Sequence, residues 1–385
     1  MGRHIKRFLQ LFMVVILAVA VGGCMDSLDI NKKMIVTTVA ADKVGDEYFL
    51  YAEVANIQAA GSGGTGGGSV PLGSKYFYIK GRGKTFSDSR LDIDRQLDMP
   101  IFLSGGRTLV FTERFAVEDD DFTQYLYRLR SDEAYRKKVL TVITHSDLDN
   151  MFKTMNNRNI SVGYSIDSTV TSLEQQGEAF SRTTSRLLEN LSSRYSGVLI
   201  PCMDMRNEDT ILSGYSVVNG NRVTGFIPIE NCIGLNMLKA DKARLFFDVP
   251  YQDKSYTVKT IINSRSLTPY YQNGEINCLY QLRIKATVEY GNTRTPYNLN
   301  KDALKDMENT LKQTMLRELI ETVSKAQTIY QTDYLQLDDA FRIKYPTAFD
   351  KLDWQTEFLK AKFYWDIKID FGVSPSLNYE KNPVR

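Results

Sequence analysis

The chain has 385 residues, of which 43% are apolar and 24% charged, and it carries a formal net charge of +2 with four cysteines and two histidines. That composition belongs to a folded protein with room for two or three domains, and the near-neutral charge disfavours a nucleic-acid binder, whose mark is a basic excess. Four scattered cysteines make no disulfide scaffold, and two histidines leave little scope for imidazole-based nucleophilic catalysis or for zinc sites built on several histidines.

The chain opens with Arg3-His4-Ile5-Lys6-Arg7, then an apolar run from Phe8 to Val21, then Val21-Gly22-Gly23-Cys24. A basic region, an apolar stretch and small residues before a cleavage point follow the order of a secretory signal peptide. The run is short of the roughly 20 apolar residues that span a bilayer. A cysteine directly after Val-Gly-Gly resembles the lipobox of bacterial lipoproteins, so cleavage is expected between Gly23 and Cys24, with lipid carried on Cys24. The expected group is a diacylglyceryl thioether plus an N-acyl chain, and no other cofactor is expected. Each buried methylene adds about 0.8 kcal/mol, and two or more chains anchor stably. Loss of Arg3, Lys6 and Arg7 with the signal brings the formal charge to −1 and leaves His145 as the only imidazole.

Past Met25 to Ile30, the β-rich stretch Met34 to Ala41 and the run Tyr48 to Val54 flank a short Gly-containing connection, which predicts a hairpin. Residues 61–69, Gly-Ser-Gly-Gly-Thr-Gly-Gly-Gly-Ser, have the composition of a flexible linker or loop. Lys75 to Lys80 is an expected strand. The following Gly81-Arg82-Gly83-Lys84-Thr85 ends like a P-loop, but Tyr78 stands where its first glycine belongs, and Thr85 is instead expected to cap a helix. Further strands are expected at Arg107 to Thr112 and Lys138 to Thr144, with a helix from Asp120 to Arg130 between them. Glu113, Glu118, Asp119, Asp120 and Asp121 form an acidic cluster without the regular ligand spacing of a calcium loop. His145 is expected at a strand end before a helix cap. Ile166 to Leu191 is expected to be helical, with an interruption at Gly177.

A boundary is placed around Met203 to Thr210, where charged residues cluster between apolar runs. Beyond it, Leu212 to Val218 and Arg222 to Ile227 flank Asn219-Gly220, a hairpin signal. From Ile276 to Tyr290 apolar and polar residues alternate, which predicts a long strand with one dry face holding Cys278. The other two late cysteines, Cys202 and Cys232, are also expected to be buried thiols. Phe363 to Val373 alternates in the same way. Between these strands, Leu304, Met307, Leu311, Met315, Leu319, Val323 and Tyr330 mark one face of a helix from about Lys301 to Tyr334. The expected architecture is multi-domain α+β, with mixed or antiparallel sheets and packed helices. Its C-terminal domain would be a meander sheet carrying one long amphipathic helix. The chain then divides into a signal peptide (1–23), an N-terminal α+β region (24–205), which the Gly-rich loop 61–69 leaves open to division into two subdomains, and a C-terminal α+β domain (210–385).

Gly23-Cys24-Met25-Asp26-Ser27-Leu28-Asp29-Ile30, continuing to Ile35-Val36 and Asp42-Lys43, is similar to the N-terminal mark of the germinant-receptor C-subunit lipoproteins of endospore-forming bacteria, the Ger(x)C family. Gly83 and Thr85 at a helix start and Arg130-Ser131-Asp132-Glu133 before a strand extend the resemblance. So do Gly214, Gly225, Ile229-Glu230, the long helix, Gln327, Tyr330, Asp333, Tyr345-Pro346 and Trp354. Departures are Met25 for the usual tryptophan, Tyr334-Leu335-Gln336-Leu337 for a Gly-rich turn, and no histidine before the strand at Leu109. The resemblance implies a protein without catalytic residues, on the outer face of the spore's inner membrane. It implies partnership with two integral membrane subunits, A and B, in detecting nutrients.

Two other classes compete. A solute-binding lipoprotein of a membrane transporter usually shows repeated βα units in two lobes, which the second half of the chain lacks. An envelope glycosidase needs only a pair of carboxylates, and the isolated acidic residues nominate no pair.

Overall fold

The computed structural model describes residues 33–56, 74–117, 121–131, 138–181, 183–192, 197–291 and 299–373. Gly23, Cys24, the Gly-rich segment 61–69 and the acidic residues Glu118, Asp119 and Asp120 lie outside them.

The first sheet is built from nine strands. β1 (Met34–Val44) and β2 (Glu47–Ala55) form the expected hairpin, and β3 (Tyr76–Gly83) pairs antiparallel with β2. Thr85 then caps α1 (Phe86–Arg95), its Oγ1 accepting from the Asp88 N–H at 3.1 Å. The neighbouring glycines serve packing. A Cβ on Gly81 would stand 2.0 Å from the Ser89 carbonyl oxygen, and one on Gly83 2.4 Å from Asp88 Cβ, so both let α1 lie directly on β3.

The short β4 (Ile101–Phe102) runs parallel beside β1, and β5 (Thr108–Thr112) and β6 (Leu140–Thr144) continue the parallel centre of the sheet. Between β5 and β6 lie α2 (Glu113–Ala116) and α3 (Asp121–Ser131). After β6, Asp147 caps α4 (Leu148–Asn157), as the position of His145 foreshadows. The expected 166–191 segment is two helices, α5 (Val162–Gln176) and α6 (Thr184–Ser192). Gly177 closes the first in the left-handed conformation at φ 73°.

β7 (Val198–Arg206), β8 (Asp209–Asn219) and β9 (Arg222–Pro228) complete the sheet. Asn207 and Glu208, within the charged 203–210 segment, form the two-residue turn from β7 to β8, both with positive φ. The hairpin expected at Asn219-Gly220 forms one residue later, around Gly220 and Asn221, with Gly220 at φ 61°.

The second sheet follows α7 (Ile233–Lys239). β10 (Arg244–Tyr251), β11 (Lys254–Gln272) and β12 (Glu275–Gly291) make the expected meander. Along β12, Ile276, Cys278, Tyr280, Leu282, Ile284, Ala286 and Val288 are buried and their neighbours partly exposed, as the alternation predicts. The helix α8 (Lys301–Thr328) buries Met307, Leu311, Met315, Leu319 and Val323 against this sheet, and it stops before Tyr330. Three short helices, α9 (Leu337–Lys344), α10 (Pro346–Phe349) and α11 (Trp354–Lys360), lead to β13 (Lys362–Val373). This strand joins β12 in parallel, with Cys278 opposite Phe363, so the sheet is mixed rather than wholly antiparallel. A parallel neighbour requires a crossover, which α8 to α11 supply.

Because successive strand residues face opposite sides, the first sheet feeds two cores. Leu109, Phe111 and Ile143 pack with Phe122 and Leu126 of α3 and Leu187 of α6. Val110 and Val142 pack with Met151 and Phe152 of α4 and Ile166 of α5, in a core continuous with α8 and the second sheet.

Glu53 is wholly buried on β2 at this junction. It accepts from Thr37 Oγ1 (2.6 Å), Thr38 Oγ1 (2.9 Å), Asn156 Nδ2 (2.7 Å), Ser161 Oγ (2.6 Å) and the Val162 N–H (2.8 Å). The last two groups open α5, whose N-terminus favours a negative charge. A buried donor stripped of its acceptor costs about 1–3 kcal/mol, so Glu53→Ala is expected to lower stability by more than about 3 kcal/mol in urea unfolding.

Cys202, Cys232 and Cys278 are buried, as expected, and all three are free, so none forms the one bridge that their number left open; burial raises all three thiol pKa values, that of Cys232 to about 12. A thiol reagent should label none of these three cysteines in the native protein and all three after denaturation.

Candidate functional site

The carboxyl ends of β1, β5 and β6 form a charged rim. Asp42, only 2% exposed at the end of β1, accepts from Thr112 Oγ1 and Arg114 Nε, each at 2.6 Å, and also from Arg114 Nη2. Next to it, Lys43 Nζ contacts Asp121 Oδ2 at 2.6 Å, and the Tyr48 hydroxyl donates to the same carboxylate at 2.9 Å. These bonds hold the Lys43 ammonium above its ordinary pKa. Asp42-Lys43, part of the sequence mark, is therefore where β1 is tied to the elements after β5.

His145 extends the rim at the end of β6. Its Nδ1 lies 2.9 Å from Asp204 Oδ2 and its Nε2 3.6 Å from Glu113 Oε1. Asp204 also accepts from the His145 N–H at 2.7 Å and from Ser213 Oγ at 2.5 Å. Burial pushes the Asp204 carboxyl up, but the hydrogen bonds from Ser213 and His145 outweigh it and hold the pKa below the ordinary value. Serine, histidine and aspartate thus meet here in an order unsuited to nucleophilic catalysis. Ser213 donates to the carboxylate, whereas a catalytic triad places the imidazole between hydroxyl and carboxylate. Glu113 and Asp121 of the acidic cluster turn to different partners, and among the described residues no group of three or more His, Cys, Asp or Glu is arranged to hold a metal.

The C-terminal residues of the resemblance converge on a second place. Asp333 is buried beyond α8 and accepts from the Leu337 N–H (3.1 Å), the Asp338 N–H (2.8 Å) and Trp354 Nε1 (3.1 Å). Its own carbonyl accepts from the Gly197 N–H at 3.1 Å, at the start of β7. The Tyr330 hydroxyl donates to the Phe226 carbonyl at 2.8 Å, and a Cβ on Gly225 would come within 2.7 Å of the Tyr330 ring. Gln327 Nε2 donates to the carbonyls of Phe358 and Ala361, fixing the approach to β13. Where the family's turn is Gly-rich, Gln336 adopts the left-handed conformation at φ 63°. That costs about 1–2 kcal/mol for a residue with a Cβ, and the burial of Tyr334, Leu335 and Leu337 beside it offsets the strain.

A cleft between α5, α7, β8 and β10, lined in part by Leu173, Glu178, Asn236 and Arg244, belongs to no motif, because its residues are far apart in sequence. Cys24 lies outside the described residues. Met34, the first residue of β1, stands at the end of the sheet opposite the charged rim, with its N–H on the Pro100 carbonyl.

Burial, then the like charge of Asp338, pushes the Asp333 carboxyl up to about 6 from an ordinary value of 3.8. An acid that holds its proton more tightly when folded contributes stability below its unfolded pKa and loses it as the pH rises through the folded one. The stability difference between wild type and Asp333→Asn should shift towards the variant between pH 4 and pH 7, by at most about 3 kcal/mol. Urea unfolding of both proteins at several pH values measures this, and a constant difference would contradict it.

Residues 26–205 match the family described as the spore germination protein N-terminal domain, and residues 213–374 the one described as spore germination B3/GerAC-like, C-terminal. The putative spore germination protein YfkR of Bacillus subtilis (strain 168) is 20% identical over 331 residues, covering 84% of this chain and 85% of that protein. The crystal structure of the GerBC protein has the same fold, with a TM-score of 0.56 at 16% identity over 86% of this chain and 96% of that one. With both family domains present in order and this fold, the chain belongs to the spore germination GerC family.

Proposed function

We propose that the chain is a lipid-anchored, non-catalytic subunit of a spore germinant receptor. It supports nutrient-triggered germination through contacts with the integral membrane A and B subunits. The observation that carries this reading is the Val21-Gly22-Gly23-Cys24 quartet standing directly before a spore-germination domain that begins at residue 26. Diacylglycerol and an N-acyl chain on Cys24 would hold the protein on the outer face of the spore inner membrane. The ten residue-to-residue steps from Cys24 to Met34 reach at most about 35 Å, so the rim at Met34 would lie nearer the lipid surface and the charged rim farther from it. The satisfied charge network of Asp42, Arg114, His145 and Asp204 fits a rigid surface for protein contact better than a reaction centre.

The test is Cys24→Ala in a spore-forming host. The variant is expected to leave the membrane fraction and to slow germination on nutrients by at least tenfold, with germination by non-nutrient triggers unchanged. Normal nutrient germination with the variant absent from the membrane would overturn the role of the anchor.

A further inference from the structure

β13 is the outer strand of the second sheet. It pairs with β12 on one side and with no described strand on the other. The edge is long and regular, since its 12 residues run in unbroken register on β12 and include no proline. β10, at the opposite edge of the sheet, has 8 residues and carries Pro250. A row of free N–H and C=O groups like that of β13 is a template for another strand.

The two faces of β13 differ. Phe363, Trp365, Ile367, Ile369 and Phe371 lie on the dry face with Cys278, Tyr280 and Leu282 of β12, and all of the five but Ile367 keep part of their surface exposed. Tyr364, Asp366, Lys368 and Asp370 lie on the wet face, where Tyr364 is 53% exposed. Lys368 stands opposite Arg283 of β12, a like charge, and Arg283 Nη2 already donates to Asp366 at 3.1 Å. Like charges directly opposite one another destabilise a sheet, so the Lys368 ammonium is poorly served within its own chain.

A second copy answers it. Two β13 strands that meet antiparallel about a two-fold axis must keep dry face with dry face, and two such registers reach the longest overlap, eleven residues of the strand. One centres on Lys368, which sets that residue against its own copy and Asp366 against Asp370. The other centres on Ile367, runs from Lys362 to Gly372 and sets Lys368 against Asp366 at two places. There Trp365 meets Ile369, Phe363 meets Phe371 and Tyr364 meets Asp370. Lys362 falls opposite Gly372, where an added Cβ would meet nothing within 4 Å. We propose that the chain forms a two-fold dimer through β13 in the register centred on Ile367, joining the four-stranded sheets of two copies into one. The pairing requires neither the lipid anchor nor membrane subunits, so its failure would leave the proposed receptor role untouched.

Sedimentation equilibrium of the full chain in density-matched detergent tests this, and a dimer is expected in the micromolar range. Lys368→Glu sets like charges together at two places and should weaken association by about tenfold or more. Adding Asp366→Lys to that variant should restore it. Mild oxidation of a mixture of the Lys368→Cys and Asp366→Cys proteins should link positions 368 and 366 of different copies, as peptide mapping reads, and neither protein alone should give that link. Should a charge variant fail to fold, the cysteine mixture decides the matter. A monomer throughout the micromolar range, a dimer indifferent to Lys368→Glu, or no link between positions 368 and 366 would overturn the proposal.

Discussion

A carboxylate without access to water holds the turn on which both sheets depend. Asp333 collects two backbone N–H groups and the Trp354 indole at the point where α8 ends and α9 begins. Its backbone carbonyl reaches the start of β7, while Tyr330, three residues earlier, reaches β9. Polar groups in such a place must be matched or the fold loses stability. The turn therefore has one arrangement, and that arrangement sets where α8 lies against the first sheet and where the chain turns towards β13. Burial and the like charge of Asp338 raise its pKa, and the three donors around it oppose that rise.

Glu53 solves the same problem differently. It faces the hydroxyls of β1 and the opening turn of α5, so a helix N-terminus supplies much of its compensation. Two buried carboxylates thus secure the two joints of the molecule. One fixes the helical layer on the parallel strands, and the other fixes the crossover between the sheets. Each works through the hydrogen bonds that it accepts from neighbouring elements.

Much of this was legible in the sequence where a single element carries its own pattern. The alternation of β12, the cap at Thr85, the helix cap after His145 and the stop at Gly177 all depend on neighbours within a few residues and form as expected, while the stripe of α8 holds from Met307 to Val323 but the helix ends at Thr328, short of Tyr330. Strand direction is not encoded in that way. The alternation of β13 is the same for parallel and antiparallel pairing, so its parallel register on β12 emerges only from the length of the crossover. β10 and β11 contain Pro250 and Pro269, which obscure a strand pattern. Both are tolerated because Pro250 lies on the edge strand and Pro269 lies beyond the stretch of β11 that β10 covers. The rim residues Asp42, Glu113, His145 and Asp204 are each visible in the sequence, but their convergence is a product of sheet order. Arg244 and Asn236 give no local signal at all. The proposed anchor at Cys24 stands in the opposite relation, since it is read from sequence alone.

The parallel pairing of β13 has a consequence for how the molecule is completed. Its partner β12 is separated from it by α8 and three short helices, and Cys278 meets Phe363 only after all of them have been made. Until then β12 is a bare edge of 17 residues with one strongly apolar face, the kind of template on which chains join one another. A ribosome that stops before Lys362 would release a protein with almost every element in place and its stickiest border open. The quality of the finished sheet is thus decided by the last strand to arrive, and damage there would be felt as aggregation rather than as loss of a contact.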